Sequence, residues 1–126
     1  MKPEEIYKGN SDYMFIFNSE NDIINIKFDL DKISKIKCRG IIITAKGRDV
    51  DFVSRFFGPQ SGINEDPVTG SAHTTLVPYW SSILNKNIIS AKQISYRLGI
   101  LKCKNNGNRI EISGKSVLYM KGNIHI

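Results

Sequence analysis

Long apolar runs are missing from this 126-residue chain. Short ones such as Met14–Phe17 and Ile41–Ile43 fall far below the ~20 residues that cross a bilayer, so no membrane contact is expected. The opening MKPEEIYKGN has no apolar core of the secretory kind, which makes the cytoplasm the expected compartment. Cysteine is scarce: Cys38 and Cys103 stand far apart, in no C-x-x-C pairing. A disulfide framework is therefore not expected, and with only His73 and His125 to help, no zinc site is either. A racemase with one thiol on each side of a substrate carbon would need its cysteines in glycine-rich turns at helix starts, and neither is so placed. Arg-rich runs are also missing. The net charge is +6, but the basic residues are scattered, with Lys32, Lys35, Lys37 and Arg39 as the closest grouping. Lys, Ile and Asn are all abundant, so the charge reads as compositional bias, and nucleic acid is not expected.

What is present suffices for one core. Hydrophobic residues make up 40% of the chain, and residues 1–126 are read as a single domain. DYMFIFNS (12–19) reads as a strand. Ser19 and Asp22 have the spacing of a capping box opening a short helix over about 19–26. Leu30, Ile33 and Ile36 follow helical spacing behind Asp29 as a cap. GIIITAKG (40–47) and VDFVSRFFG (50–58) read as strands, and GPQSGINEDP (58–67) as a loop. Ala72, Leu76, Tyr79, Trp80 and Ile83 then form a helical stripe, with Pro78 expected to kink it or force a local adjustment. AKQISYR, GILKCK, RIEISG and SVLYMKGNIHI read as strands, with a hairpin at NNGN (105–108). Strands wrapped around one central helix make an α+β domain.

The run NEDPVTGSAH (64–73) is the candidate site. A helix opens with backbone N–H groups that lack partners and with the positive end of its dipole. Thr69, Gly70, Ser71 and Ala72 are small enough to let an anion reach those groups. The alternative is plain capping by Thr69 or Ser71. Asp66 precedes a proline and is held extended, so its carboxylate either faces the helix mouth or shapes a turn. Glu65 is expected to point away into solvent. His73 either meets a substrate or satisfies a neighbouring loop.

The stretch RFFGPQSGINEDPVTGSAHTTLVPYW, Arg55 to Trp80, resembles the PhzF-like phenazine-biosynthesis family, as does AKQISYRLG (91–99), which matches that family's A-x-Q-x-S-x-R-G-G run. The resemblance implies a diaminopimelate-epimerase-like fold: two similar domains, each a β-barrel-like sheet around a central helix, with the active site between them. It implies a cofactor-independent, metal-free isomerase or epimerase; the best-understood member isomerises trans-2,3-dihydro-3-hydroxyanthranilate. A glutamate of the N-terminal half is the general acid and base there. An aspartate and a serine, here Asp66 and Ser71, hold the substrate. Gly70 and Ala72 present amides to its carboxylate, with His73 beside them. Leu98 replaces the first glycine of the R-G-G run, and Thr74 stands where many members have cysteine. Only the C-terminal half is matched, and Glu4, Glu5, Glu20 and Glu111 lie in no motif that replaces the missing base. Two readings follow. One is an enzyme half that completes its site with a separate N-terminal half. The other is a homodimeric, non-catalytic module that binds a small acid.

Overall fold

The computed structural model describes residues Met1–Ile126. Eight strands form one mixed sheet: β1 (Glu5–Lys8), β2 (Asp12–Ile16), β3 (Gly40–Lys46), β4 (Phe52–Gly58), β5 (Ile63–Asp66), β6 (Ile88–Gln93), β7 (Gly99–Asn105) and β8 (Ile110–Ser113). The order across the sheet is β1-β2-β3-β4-β6-β7-β8, with β5 branching from β4. Helices α1 (Glu20–Asn25) and α2 (Leu30–Ser34) cross from β2 to its parallel neighbour β3. Helix α3 (Gly70–Leu84) lies in the second parallel crossover, from β4 and β5 to β6.

The sequence expectation of a barrel-like sheet around one helix needs correction. The sheet is open, because β1 and β8 are unpaired edges. Both of its faces are covered. Ile42, Phe52 and Phe56 pack with Leu76, Val77 and Trp80 of α3. Their strand neighbours Ile41, Ile43, Val53 and Phe57 pack with Ile23 of α1 and Ile33 of α2. Side chains alternate across a strand, so a strand covered on both faces reads as the unbroken apolar run GIIITA.

Local chemistry accounts for the helices. Ser19 and Asp22 form the capping box reciprocally, and the Asp29 carboxylate accepts from the Lys32 N–H (3.2 Å). Helix α3 continues through Pro78 as one helix. Pro78 and Thr74, the residue whose carbonyl loses its partner, both lie on the exposed face, where water can replace the missing N–H. The buried stripe is Ala72, His73, Leu76, Val77 and Trp80; Ile83 is exposed instead. Trp80 anchors the helix, stacking on Phe52 with centroids 5.8 Å apart. Its Nε1–H donates to Thr44 Oγ1 (3.0 Å), which donates to the Val53 carbonyl (2.7 Å).

Three further expectations change. The 58–67 loop holds a 3-10 turn (Pro59–Ser61) and then strand β5, paired antiparallel with β4 at Phe56↔Asp66. SVLYMKGNIHI forms no strand: residues 114–126 have no regular structure, and Val117, Leu118, Tyr119 and Met120 are exposed. Strand β1, in turn, was not visible in the sequence pattern. The NNGN hairpin does join β7 to β8, with Gly107 at φ 79°. No helix is long and apolar enough to cross a membrane.

Candidate functional site

The sheet forks at β4. Phe52, Val53 and Ser54 lie beside β6, whereas Phe56 and Gly58 lie beside β5. The loop 67–69 and the start of α3 lie where the two branches part, and a buried side chain closes that gap. Gln93, the last residue of β6, accepts from the Thr69 N–H at 2.7 Å. Its amide nitrogen donates to the Asp66 carbonyl (2.8 Å) and to Thr69 Oγ1 (3.0 Å). One amide thus fixes both ends of the Asp66–Thr69 turn.

That arrangement leaves α3 without a side-chain cap. Thr69 is the N-cap, but its hydroxyl donates to the Asp66 carboxylate instead of accepting from the helix. Ser71 makes no cap either; its Oγ accepts from Arg39 Nη1 (2.8 Å). The plain-capping alternative is therefore set aside, and the dipole end of α3 faces outward. A methyl group placed on Gly70 would meet no atom within 4 Å, so the space beside its Cα is open. Gly70 also lines an open cleft of about 1160 Å³ walled by Val68, Leu98, Ile100 and Ile112.

The other site residues divide by depth. Asp66 is half-buried at the end of β5, its carboxylate drawn to the helix mouth by Thr69. Ala72 is buried, so only its backbone can serve a ligand. His73 is fully buried against Phe52, with ring Nδ1 2.8 Å from the Thr69 carbonyl. A carbonyl only accepts, so Nδ1 carries the proton. Burial outweighs that bond and holds the imidazole below its usual range, hence neutral. Its Nε2 has no partner. Glu65 corrects the sequence reading: it pairs with Arg55 through two parallel bonds (Nε–Oε1 2.7 Å, Nη2–Oε2 2.9 Å). Burial would raise the Glu65 carboxyl, but the Arg55 fork and the Ser95 hydroxyl together more than offset it and the net direction is down. Arg55 Nη1 also donates to the carbonyls of Ile23 and Ile26 at the end of α1.

The thiols stay apart from this site. Burial pushes Cys103 up to about 11. Cys38 is also raised by burial, and its Sγ accepts from Gln60 (3.0 Å).

Residues 2–122 match the family model described as phenazine biosynthesis-like protein, PhzC-PhzF. The chain belongs to that family. It is 47% identical over 115 residues to an uncharacterized isomerase of Pseudomonas aeruginosa, an alignment covering 91% of this chain and 44% of the relative. It is 44% identical over 95 residues to phenazine biosynthesis-like domain-containing protein 1 of Mus musculus, covering 70% and 33%. A crystal structure of a PhzC/PhzF-type protein from Clostridium difficile superposes with a TM-score of 0.89 at 44% identity, covering all of this chain and 49% of that one. The chain spans about half the length of the curated bacterial relatives it matches.

The PhzF-like pattern explains two neighbours of the loop. Leu98, at the first glycine of the R-G-G run, sits at φ 51°, a left-handed conformation that glycine adopts freely and a branched side chain does not. Gly99, at the second, faces Val68: a Cβ there would lie 2.3 Å from Val68 Cγ2. Thr74, in place of the family's frequent cysteine, donates to the Ser71 carbonyl (2.7 Å). Gln93, Arg39 and Arg55 went unassigned in the sequence reading. Gln93 does lie in a motif, but nothing local says which loop it holds.

Proposed function

We propose that this chain is the C-terminal, substrate-holding half of a PhzF-like cofactor-independent isomerase or epimerase that moves a proton on a small carboxylate-bearing metabolite. The observation that carries this reading is the start of α3 without a side-chain cap, with open space beside the Gly70 Cα and the Asp66 carboxylate tied to the N-cap. The amides of Gly70, Ser71 and Ala72 grip the substrate carboxylate through partial charge and direct hydrogen bonds. Ser71 adds a hydroxyl donor. Asp66 takes a hydroxyl or ammonium of the substrate and stands beside the reacting carbon. His73 acts from beneath, holding the Thr69 carbonyl so that the turn keeps its shape. The acid–base glutamate comes from the other half, without which the chain is inactive.

The test is reconstitution. The separately made N-terminal half, added to this chain, is expected to restore exchange of a substrate proton in deuterated water. Asp66→Ala in that complex should lower the rate about a hundredfold or more. A stable complex whose exchange rate is indifferent to Asp66→Ala would remove Asp66 from the reaction.

A second reading is favoured by one feature. Val68, Ile88, Leu98, Ile100 and Ile112 expose apolar surface around the cleft, and such patches associate. In this reading two copies pair as a small-acid-binding homodimer without turnover. Light scattering that gives a monomer mass at all concentrations would end it.

A further inference from the structure

Arg39 reaches the site from far away in the chain, out of the connection between α2 and β3. Its backbone is pinned at both ends: its N–H donates to the Ser11 carbonyl (2.6 Å), and its carbonyl accepts from Ser61 Oγ (3.0 Å). Its guanidinium forks onto the buried carboxylate of Asp12, with Nε 2.9 Å from Oδ1 and Nη2 bonded to Oδ2. The guanidinium carbon stands 5.5 Å from the centre of the Phe56 ring, and that ring is itself fixed by Gly40, where any Cβ would strike it at 2.2 Å. These restraints leave Nη1 aimed at Ser71 Oγ, 2.8 Å away.

The bond has a direction. Arginine has five N–H donors and no acceptor, and it stays charged. Ser71 Oγ therefore accepts, and its own proton cannot return to Arg39. The hydroxyl is left to donate elsewhere, in the first turn of a helix whose opening N–H groups have no side-chain cap. A cation beside a helix N-terminus is unfavourable by itself. Asp12 compensates the guanidinium, and the Asp66 carboxylate stands at the N-cap, but no side chain accepts from the opening N–H groups of the helix. With 40% of its side chain exposed, Arg39 also has N–H groups free for a ligand.

We propose that Arg39 is a positioning residue for carboxylate binding: held by Asp12, it fixes the Ser71 hydroxyl as an outward donor of the anion site at the start of α3. This rests on the reading of that loop as an anion site, and one experiment separates the two. The chain, labelled with nitrogen-15, is titrated with 3-hydroxyanthranilate, a stable aromatic carboxylate, and with 2-aminophenol, which has the same ring substituents but no carboxylate. The amides of Gly70, Ser71 and Ala72 should respond to the first and not to the second.

Arg39→Gln should weaken 3-hydroxyanthranilate binding about tenfold, as expected for loss of a charge-assisted contact. Arg39→Lys keeps the charge on Asp12 but not the simultaneous grip on Ser71, so it should weaken binding about threefold. In a Ser71→Ala background that threefold effect should vanish, since the two residues act through one bond. A purely structural Arg39 would give equal losses with and without Ser71. If Arg39→Gln does not fold, Arg39→Lys and its Ser71→Ala partner decide the matter alone. Parent-like binding by Arg39→Lys, or a loss independent of Ser71, overturns the role of Arg39 while leaving the anion site standing. Silence of the Gly70–Ala72 amides in the parent overturns the anion site, and Arg39's role with it.

Discussion

Leu98 shows how one residue can disagree with the backbone it occupies. Its φ of 51° places a branched-chain residue in a region that costs a non-glycine side chain about 1–2 kcal/mol. The family's glycine has no such cost, but it adds freedom to the unfolded chain, worth about 0.4–1 kcal/mol. The side chain of Leu98 is half exposed, so little packing is lost on removing it. Leu98→Gly is therefore expected to stabilise the fold by about 0.5 kcal/mol and raise Tm by roughly 1–3 °C; calorimetry checks it, and a fall in Tm would mean that Leu98 packs better than its exposure suggests. The sequence disclosed the departure from glycine but not its meaning, because a backbone angle is not written in a residue name. Gln93 is a similar case. Its three hydrogen bonds join residues 24 to 27 positions away, and no window of local pattern contains them.

At the scale of elements, legibility followed how local the cause was. Helix α1 was visible because Ser19 and Asp22 build its cap within four residues. Strand β3 was visible because burial on both faces leaves a continuous apolar signature. Strand β5 was hidden: it is four residues long, exposed in its first half, and set among Gly and Pro. What makes it a strand is β4, together with Arg55, which ties β4, β5 and the end of α1 through four bonds. Arg55→Ala should thus lose more than a surface ion pair would. It strands a half-buried Glu65 and two helix-end carbonyls, at a cost of about 2–3 kcal/mol, readable as a lowered urea midpoint at unchanged slope. A loss under 0.5 kcal/mol would assign the junction to apolar packing instead. The tail marks the converse limit. Alternating residues in SVLYMKGNIHI describe what would suit a sheet, yet a strand also needs a paired neighbour, and these residues pair with none.

For the whole molecule, acid is the informative perturbation. Burial holds His73 below its ordinary 6.5, with the Thr69 carbonyl opposing only in part. A depressed folded value means stability that is complete above pH 6.5 and is lost as pH falls through the folded value. Glu65 is held below 4.5, so its contribution is complete above that pH and disappears at lower pH. The unfolding free energy should therefore decline in two stages on acidification. The first begins near pH 6.5, with a limiting slope of about 1.4 kcal/mol per pH unit. Replacing His73 with Gln should flatten that first stage and leave the second. A flat profile between pH 6.5 and 5 in the parent would contradict the burial of His73. The same residue supports the turn that carries Asp66 and Gly70, so the site and the fold should weaken together in mild acid.

The free margins at the two ends of the sheet, β1 and β8, set the geometry of any assembly that joins sheet to sheet. Backbone groups along an unpaired strand can bond to another chain as readily as to their own. If β8 meets β8, the same patch is used on both copies about a twofold axis, and growth stops at two copies. If β1 of one copy meets β8 of the next, each addition regenerates both ends, and the result is a ring where the rotation closes and an open filament where it does not. Which margin is covered first thus decides between a closed pair and continued growth.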